Sequence, residues 1–156
     1  MLRSTRGYTI IELLVVMAVL GILASAAMPL VELTAKRSKE RELKQSAWEI
    51  RRAIDAYKQA YDGGHIAKSA SLSGYPPSLT ALTAGVPDPL AGGQPAFFLR
   101  RIPKDPFAAP ALPAAQSWGL RSYQSTAEEP KAGDDVFDVY STSAETGING
   151  VPYRLW

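Results

Sequence analysis

The chain has 156 residues, with 17 lysine and arginine residues against 15 aspartate and glutamate residues, one histidine and no cysteine. This length allows one ordinary domain, or a smaller domain with an appendage. A net charge of +2 is too balanced for a protein that binds nucleic-acid phosphates. Without cysteine there is no disulfide, thiol nucleophile or thiolate metal site, and a single histidine argues against zinc chemistry. The composition therefore argues against most classes of enzyme, and we expect a protein that is not an enzyme.

An apolar run lies near the N-terminus. Residues 13–31 carry no charge, and as a helix at about 1.5 Å per residue they extend roughly 28 Å, close to the hydrocarbon thickness of a bilayer. A helix that is apolar on every face favours a membrane over the core of such a small domain. The sequence therefore predicts a segment that begins in a membrane.

Three interpretations of this segment compete. The first is a cleaved secretory signal peptide, with Arg3 and Arg6 as its charged region and a cleavage site at Ala24-Ser25-Ala26. The second is a plain single-span anchor. The third is a prepilin-type N-terminus, which is cut before the apolar run.

Glu12 favours the third interpretation. A carboxylate within a membrane helix costs about 2.5–3.5 kcal/mol, and a disposable signal peptide has no reason to carry that cost. Cleavage between Gly7 and Tyr8 would create a cationic partner, the new α-amino group of Tyr8. That amine lies about one helical turn from Glu12, and the amine of a neighbouring subunit could reach Glu12 equally well.

The N-terminal residues carry a recognisable motif. They read Gly7-Tyr8-Thr9-Ile10-Ile11-Glu12-Leu13-Leu14-Val15-Val16. This segment resembles the processing motif of type IV pilins and type II secretion pseudopilins, in which a glycine, an aromatic residue and a glutamate precede an unbroken apolar helix. Pro29 matches the usual position of a proline in the helix of this family, where it is expected to cause a kink.

The resemblance implies how the chain is processed and where it resides. A prepilin peptidase would cut after Gly7 on the cytoplasmic side and then methylate the nitrogen of Tyr8. Basic residues flank the apolar run on both sides, so charge alone leaves its orientation open. The family implies a single-pass protein of the bacterial inner membrane, in contact with lipid before assembly, with its C-terminal head in the periplasm.

A charged helix is predicted to continue beyond the apolar run. Residues 32–62 contain no glycine or proline, and a ladder of alternating charge at i,i+4 spacing is formed by Glu32, Lys36, Glu40 and Lys44. An apolar stripe at helical spacing follows at Leu43, Ala47, Ile50, Ile54, Tyr57 and Tyr61. We expect one helix from Tyr8 to about Tyr61, roughly 80 Å long, whose stripe anchors a globular domain. A coiled-coil seam is the alternative.

The remaining residues predict a small domain rich in loops. Most of the prolines lie between residues 62 and 117, which favours turns. A short helix is predicted at residues 76–82, and strands at 118–123 and 135–141 flank a turn-rich connection at 128–134. The fold class is therefore α+β, with a very long N-terminal helix packed on a small antiparallel sheet. The expected divisions are a leader (1–7), a transmembrane and assembly helix (8–31), an amphipathic continuation (32–62) and a periplasmic head (63–156).

The head carries a second resemblance, to the major pseudopilins of type II secretion (general secretion pathway protein G). The matching segments are Tyr75-Pro76-Pro77-Ser78-Leu79, Arg101-Ile102-Pro103-Lys104-Asp105-Pro106-Phe107 and Asp138-Val139-Tyr140-Ser141. The family's Asp-Pro-Trp-Gly becomes Asp105-Pro106-Phe107-Ala108. This resemblance implies a type IV pilin-like fold and a structural subunit that polymerises into a periplasmic helical filament driving export of folded proteins. The implied partners are further copies of the chain, the prepilin peptidase, minor pseudopilins and the inner-membrane secretion platform.

Two other functions stay open at this point. One is a type IV pilin for adhesion, motility or DNA uptake, against which the lack of a cysteine pair counts mildly. The other is a periplasmic binding domain or enzyme released by cleavage after Ala26. No cofactor is expected. The family holds calcium in a C-terminal loop, for which the candidate residues here are Asp138, Ser141 and Glu145. Because calcium prefers several carboxylate ligands and few are available locally, no metal site is assigned.

Several other residue types suggest chemistry but favour a structural role. His65 follows a glycine pair in a loop, and residues 141–143 lack the setting of a nucleophilic serine. Gly92-Gly93 is too short for a phosphate loop. Basic residues at Arg100, Arg101, Lys104 and Lys68 would be the first candidates for DNA contact, but we expect no nucleic-acid partner.

Overall fold

The computed structural model describes residues 7–68 and 73–156. Helix α1 spans Ile10–Asp62 and is followed by a short helix and four strands: α2 Ala81–Ala84, β1 Val86–Asp88, β2 Gln94–Ala96, β3 Trp118–Arg121 and β4 Asp138–Ser141. Contacts divide the chain into two compact units, Met1–Ser38 (the N-terminal unit) and Lys39–Trp156 (the C-terminal unit). One long helix with short antiparallel strands confirms the predicted α+β class. Residues 1–6 of the predicted leader, with Arg3 and Arg6, lie outside the described residues.

Helix α1 ends at a glycine pair. The backbone N–H of His65 donates to the carbonyl of Ala60 (2.8 Å), and that of Gly64 donates to the carbonyl of Tyr61 (3.1 Å). Gly64 has a φ of +80°, a left-handed conformation that glycine adopts without strain and that this C-terminal hydrogen-bond pattern requires. The last helical residue, Asp62, is therefore within one residue of the predicted helix end.

The predicted apolar stripe of α1 is the core of the C-terminal unit. Its first five residues are at most 5% exposed: Leu43, Ala47, Ile50, Ile54 and Tyr57. Tyr61 is partly buried against the same core. The stripe is joined there by side chains from the rest of the unit, namely Ile66, Leu79, Leu82, Leu99, Trp118, Val136, Val139 and Tyr153. The stripe is thus a packing face for a domain, as predicted, and not a coiled-coil seam.

Two residues of the charged ladder predicted along α1, Glu40 and Lys44, contact the C-terminal segment of the chain. The Glu40 Oε1 atom accepts hydrogen bonds from the backbone N–H of Ile148 (2.7 Å) and the hydroxyl of Tyr153 (3.0 Å). The Lys44 ammonium lies 4.3 Å from the ring centroid of Trp156, a cation–π contact. These two side chains therefore connect α1 to the end of the chain.

Strands β3 and β4 pair antiparallel, with Trp118 opposite Ser141 and Arg121 opposite Asp138. Gly119 lies opposite Tyr140, and a Cβ at that position would overlap the Tyr140 ring. The glycine therefore lets an aromatic ring cover the strand backbone.

Both strands are shorter than the predicted runs, 118–123 and 135–141. The backbone N–H of Ser122 donates to the carbonyl of Lys131 (2.9 Å), and that of Tyr123 donates to the carboxylate of Asp135 (2.9 Å). These N–H groups bond to the connecting loop and not to a partner strand. The ladder consequently stops at Arg121.

Strands β1 and β2 form a second two-stranded sheet, in a segment for which the sequence predicts turns. Its central pair is Pro87 opposite Pro95. Proline has no N–H and normally argues against a strand. In an antiparallel ladder every second pair exchanges no hydrogen bonds, and two prolines fit such a position. The prediction of irregular structure here was therefore wrong.

Helix α2 begins later than the predicted helix at residues 76–82. The carbonyl of Pro76 accepts a hydrogen bond from the backbone N–H of Val136 (2.8 Å), a tertiary contact that replaces a helical one. Turns from Ser78 onward lead into the helix, where the N–H of Ala81 bonds to the carbonyl of Ser78 (3.2 Å). Only residues 81 and 82 are common to the predicted and the observed helix.

Candidate processing and assembly site

The predicted cleavage site lies immediately before α1. Residues 7–9 are not helical, and the side chain of Tyr8 is 79% exposed. Apart from its two chain neighbours, no described residue has an atom within 4 Å of the place that a Cβ on Gly7 would occupy. Over the described part of the chain, the backbone next to the predicted Gly7–Tyr8 cleavage site is therefore exposed and irregular, and proteases cleave backbone of this kind.

Thr9 and Glu12 set the start of the helix. The Thr9 Oγ1 atom accepts a hydrogen bond from the backbone N–H of Glu12 (3.3 Å), and the Thr9 carbonyl accepts one from Leu13 (3.2 Å). Thr9 is thus the N-cap, and Glu12 occupies the third helical position, as in a capping box. The carboxylate of Glu12 also lies in the first turn, where the helix dipole favours a negative charge.

Glu12 is exposed in the isolated chain, and no ion pair to it occurs within the described residues. The capping geometry accounts for an acidic residue at this place in a helix. It leaves the charge itself uncompensated once the segment enters lipid or a protein interface. The local geometry is therefore compatible with a partner from outside the chain.

The N-terminal unit exposes a continuous apolar surface. Large side chains on all sides of the helix are about half exposed or more: Ile10, Ile11, Leu13, Leu14, Val15, Val16, Met17, Val19, Leu20, Ile22, Leu23, Met28, Leu30 and Val31. This part of α1 has the length and composition of a membrane span. An apolar surface of this size indicates contact with lipid or with other protein.

Pro29 lies inside α1, which continues on both sides of it. Proline lacks the N–H that would bond to the carbonyl four residues earlier, so one rung of the helix ladder is missing there. Thr34 follows, and its hydroxyl donates to the carbonyl of Leu30 (2.7 Å). The predicted kink at Pro29 stays a prediction.

In the C-terminal unit, Asp138 is held between two arginines. Its Oδ1 atom accepts a hydrogen bond from Arg51 Nε (2.7 Å), and its Oδ2 atom accepts one from Arg121 Nη2 (3.2 Å). Arg51 Nη2 also donates to the main-chain oxygens of Val139 (3.0 Å) and Trp156 (2.8 Å). This cluster was not predicted, because Arg51 is 87 residues away from Asp138 along the chain.

A second polar group is buried beside β4. The carboxylate of Asp105, which is 1% exposed, accepts hydrogen bonds from the hydroxyl of Ser141 (2.6 Å) and the backbone N–H of Phe107 (2.8 Å). The Ser117 hydroxyl accepts one from the Asp105 backbone N–H (3.1 Å). The bond from the Phe107 N–H to the Asp105 side chain forms an Asx-type turn. The bond between Asp105 and Ser141 of β4 joins residues 36 positions apart, so no short sequence pattern predicts it.

The histidine and the basic residues considered as candidates from the sequence lie in the C-terminal unit, whereas the predicted cleavage site lies in the N-terminal unit. His65 Nδ1 lies 2.9 Å from the carboxylate of Asp88, and Lys104 donates to the carbonyl of Pro110 (2.6 Å). Arg100, Arg101 and Lys68 are exposed. Nowhere in residues 7–68 and 73–156 do three histidine or acidic side chains come together closely enough to hold a metal ion.

The N-terminal geometry agrees with a known sequence family. The family described as the prokaryotic N-terminal methylation motif matches residues 2–28, which include the predicted cleavage site and most of the apolar run. No solved structure shows significant similarity to the chain.

Curated relatives match beyond this motif. The chain is 29% identical over 148 residues to the type II secretion system core protein G of Pseudomonas aeruginosa, covering 92% of this chain and 86% of the relative. It is 30% identical over 112 residues to the protein of the same name from Dickeya chrysanthemi, covering 69% and 66% of the two chains. The corresponding protein of Aeromonas hydrophila is 26% identical over 113 residues, which cover 69% of this chain and 71% of the relative.

These matches extend the resemblance from the first helix through the C-terminal unit. The long helix, the short antiparallel strands and the methylation motif agree with them. The chain belongs to the family of type II secretion major pseudopilins, within the type IV pilin-like superfamily.

Proposed function

We propose that this chain is the structural subunit of a type II secretion pseudopilus, which polymerises into a periplasmic helical filament and drives export of folded proteins across the outer membrane. One observation carries the proposal: an open processing site stands directly before a helix whose large apolar side chains are exposed on all sides. Such a helix needs lipid first and copies of itself afterwards. The names of its relatives, core proteins of type II secretion systems, support this system over others.

Processing is the first step. A prepilin peptidase cuts between Gly7 and Tyr8 and methylates the new nitrogen of Tyr8. The methylated amine keeps its positive charge, as methylated lysine does. The leader carries Arg3 and Arg6, so its removal also deletes two cations from the N-terminal side.

Charge pairing then favours assembly over random clustering in the membrane. The Tyr8 amine of one subunit compensates the Glu12 carboxylate of its neighbour when both leave the lipid. A charge buried without a partner costs several kcal/mol, and an oppositely charged partner offsets part of that cost. The pairing therefore fixes the axial position at which subunits meet.

The same pairing can repeat from subunit to subunit. Each copy offers its Tyr8 amine to one neighbour and its Glu12 carboxylate to another, which is a head-to-tail contact. A contact of this kind continues as an open helix unless its rotation closes a ring, and the open helix is the assembly proposed for this chain. Before assembly the subunits reside in the inner membrane, with the C-terminal unit in the periplasm. Minor pseudopilins and the inner-membrane platform begin and extend the filament.

Mass spectrometry of the mature N-terminus tests processing. We expect a chain that starts at methylated Tyr8, and we expect Gly7→Val to leave an uncut band. Gly21→Val is the matched control, because a Cβ at Gly21 also meets no atom within 4 Å. A chain that starts at Ala27 would contradict the proposal and indicate a secreted domain.

Neutralising Glu12 tests the charge pairing. Glu12→Gln keeps the side-chain shape, so cleavage should continue while filament formation and secretion fall by at least about tenfold, the effect of about 1.4 kcal/mol. Glu32→Gln on the same helix is the control and should behave as the wild type. Normal filaments from the Glu12→Gln chain would refute the pairing. Filaments that support motility or DNA uptake, and no secretion, would instead indicate a type IV pilin.

A further inference from the structure

The relation to major pseudopilins implies a calcium ion at the C-terminal loop, so the residues there can be tested against that ion. Ca²⁺ takes six to eight oxygen ligands, several of them from carboxylates. The local candidates in this chain are Asp138, Ser141 and Glu145. Each of them can be compared with what a calcium site requires.

The carboxylate of Asp138 is already committed. Arg51 bonds to one of its oxygens at 2.7 Å and Arg121 to the other at 3.2 Å. Each guanidinium group makes a charge-assisted hydrogen bond to this carboxylate. A divalent cation would have to displace both bonds and would then lie close to two positively charged side chains.

The other two candidates, Ser141 and Glu145, do not make up for the loss of Asp138 as a calcium ligand. The hydroxyl of Ser141 is buried and donates to Asp105 (2.6 Å). Glu145 is exposed, and its main-chain oxygen accepts the N–H of Tyr153 (3.2 Å). Over the described part of the chain, no three acidic or histidine side chains lie close enough together to hold a metal ion. The residues present do not fit a calcium ion.

We propose that Arg51 takes the structural place of a cation in this protein, so that the C-terminal unit folds independently of calcium. Its guanidinium joins three parts of the chain: it projects from α1, bonds to Asp138 and Val139 of β4, and bonds to the main-chain oxygen of Trp156. Arg121 adds β3 to the same carboxylate. A planar guanidinium with several fixed donors suits this task, since it binds carboxylate and carbonyl oxygens at once.

The neighbouring residue offers a matched control. Arg52 is exposed, and its guanidinium lies over the ring of Trp48 at 5.6 Å. It has the same charge and helix propensity as Arg51. A difference between variants at these two positions therefore reports on the contacts of Arg51 and not on net charge.

The test is thermal unfolding of the full chain in detergent, in EGTA, in millimolar CaCl₂ and in millimolar MgCl₂. We expect the wild-type midpoint to be the same in all three. Arg51→Gln should lower it by about 5 °C or more in each condition, while Arg52→Gln leaves it within about 1 °C. A calcium-specific rise in the wild-type midpoint, or unchanged melting of Arg51→Gln, would overturn the proposal.

Titration calorimetry of the wild-type chain with CaCl₂ provides a measurement that needs no variant. We expect no saturable heat, and a stoichiometric site would overturn the proposal. Asp138→Asn replaces Arg51→Gln in the melting experiment if the Arg51→Gln chain does not fold. It should melt earlier than the wild type and show no response to calcium. Neither measurement depends on secretion, so the outcome is separate from that of the pseudopilus proposal.

Discussion

Tyr153 shows how one side chain stabilises the C-terminal unit at the scale of a single residue. Its ring is fully buried and stacks on Phe107 with centroids 4.2 Å apart, while its hydroxyl donates to Glu40 Oε1 (3.0 Å). Burial, and next the hydrogen bond to Glu40, raise the pKa of Tyr153 far above its ordinary value. The hydroxyl therefore stays protonated at neutral pH and can donate to Glu40.

Removing this hydroxyl should weaken the fold. We expect Tyr153→Phe to lower the free energy of unfolding by about 1–2 kcal/mol, because a partly buried charged acceptor loses its donor. Urea unfolding monitored by circular dichroism measures this. Tyr123→Phe is the control: its ring is 59% exposed, so the loss of that hydroxyl should cost less than about 0.5 kcal/mol. Equal stabilities of the two variants would contradict the role of the Glu40 bond.

The pair of His65 and Asp88 gives a prediction for acid stability. The hydrogen bond from His65 lowers the pKa of Asp88 below its ordinary value of 3.8. A carboxyl group whose pKa is lowered in the folded state stabilises above its unfolded pKa, and that stabilisation is lost as the pH falls through the folded value. Asp88 also accepts the N–H of Leu90 (2.8 Å), a bond that asparagine can keep.

Asp88→Asn should therefore melt slightly earlier than the wild type above about pH 4, and the two should converge below it. The difference should be small, since the pair is accessible to water. Melting midpoints from pH 2.5 to 7 measure it. A constant difference down to the lowest pH would show that the charge of Asp88 does not contribute.

At the scale of elements, the second half of α1 is the scaffold on which the C-terminal unit is built. Ile50 is completely buried at the centre of the stripe, whereas the adjacent Glu49 is exposed. We expect Ile50→Ala to cost about 2–5 kcal/mol and Glu49→Ala less than about 0.5 kcal/mol. Chemical denaturation measures both. A small effect at Ile50 would mean that the core can collapse around the cavity.

Elements whose signal is local could be predicted from the sequence. The stripe of α1 was predicted because residues three and four apart share a helix face, and the two C-terminal strands because β-branched and aromatic residues cluster there. Strands β1 and β2 were missed because Pro87 and Pro95 individually disfavour a strand, and only their pairing makes both acceptable. The helix predicted from Pro76 was displaced by a bond to Val136, which is sixty residues later in the sequence.

The functional sites likewise divide into those predicted from a local sequence pattern and those formed by distant residues. Gly7, Tyr8 and Glu12 lie within one short motif, and the resemblance of that motif to the prepilin motif implies a processing and pairing function. Arg51, in contrast, lies in the segment for which the sequence predicts only a charged helix. Its bonds to Asp138 and Trp156 depend on where the fold brings the end of the chain, and no periodicity carries that information.

At the scale of the whole molecule, α1 meets different surroundings along its length. Residues 8–31 form the proposed membrane and assembly segment, and from Leu43 onward one face is buried in the domain core. Between them, residues 32–38 are exposed apart from Lys36, which is half-buried. Little tertiary packing supports this stretch, and helices of this kind depend on packing for most of their stability.

The backbone amides of residues 32–38 should consequently be the least protected in α1. In hydrogen–deuterium exchange of the chain in lipid nanodiscs, we expect them to exchange at least about tenfold faster than the amides of residues 43–57, because local opening is cheapest where few contacts are broken. Uniform protection from residue 32 to 57 would contradict this. In the proposed assembly, such opening would give an otherwise continuous helix a place to bend while a subunit leaves the bilayer.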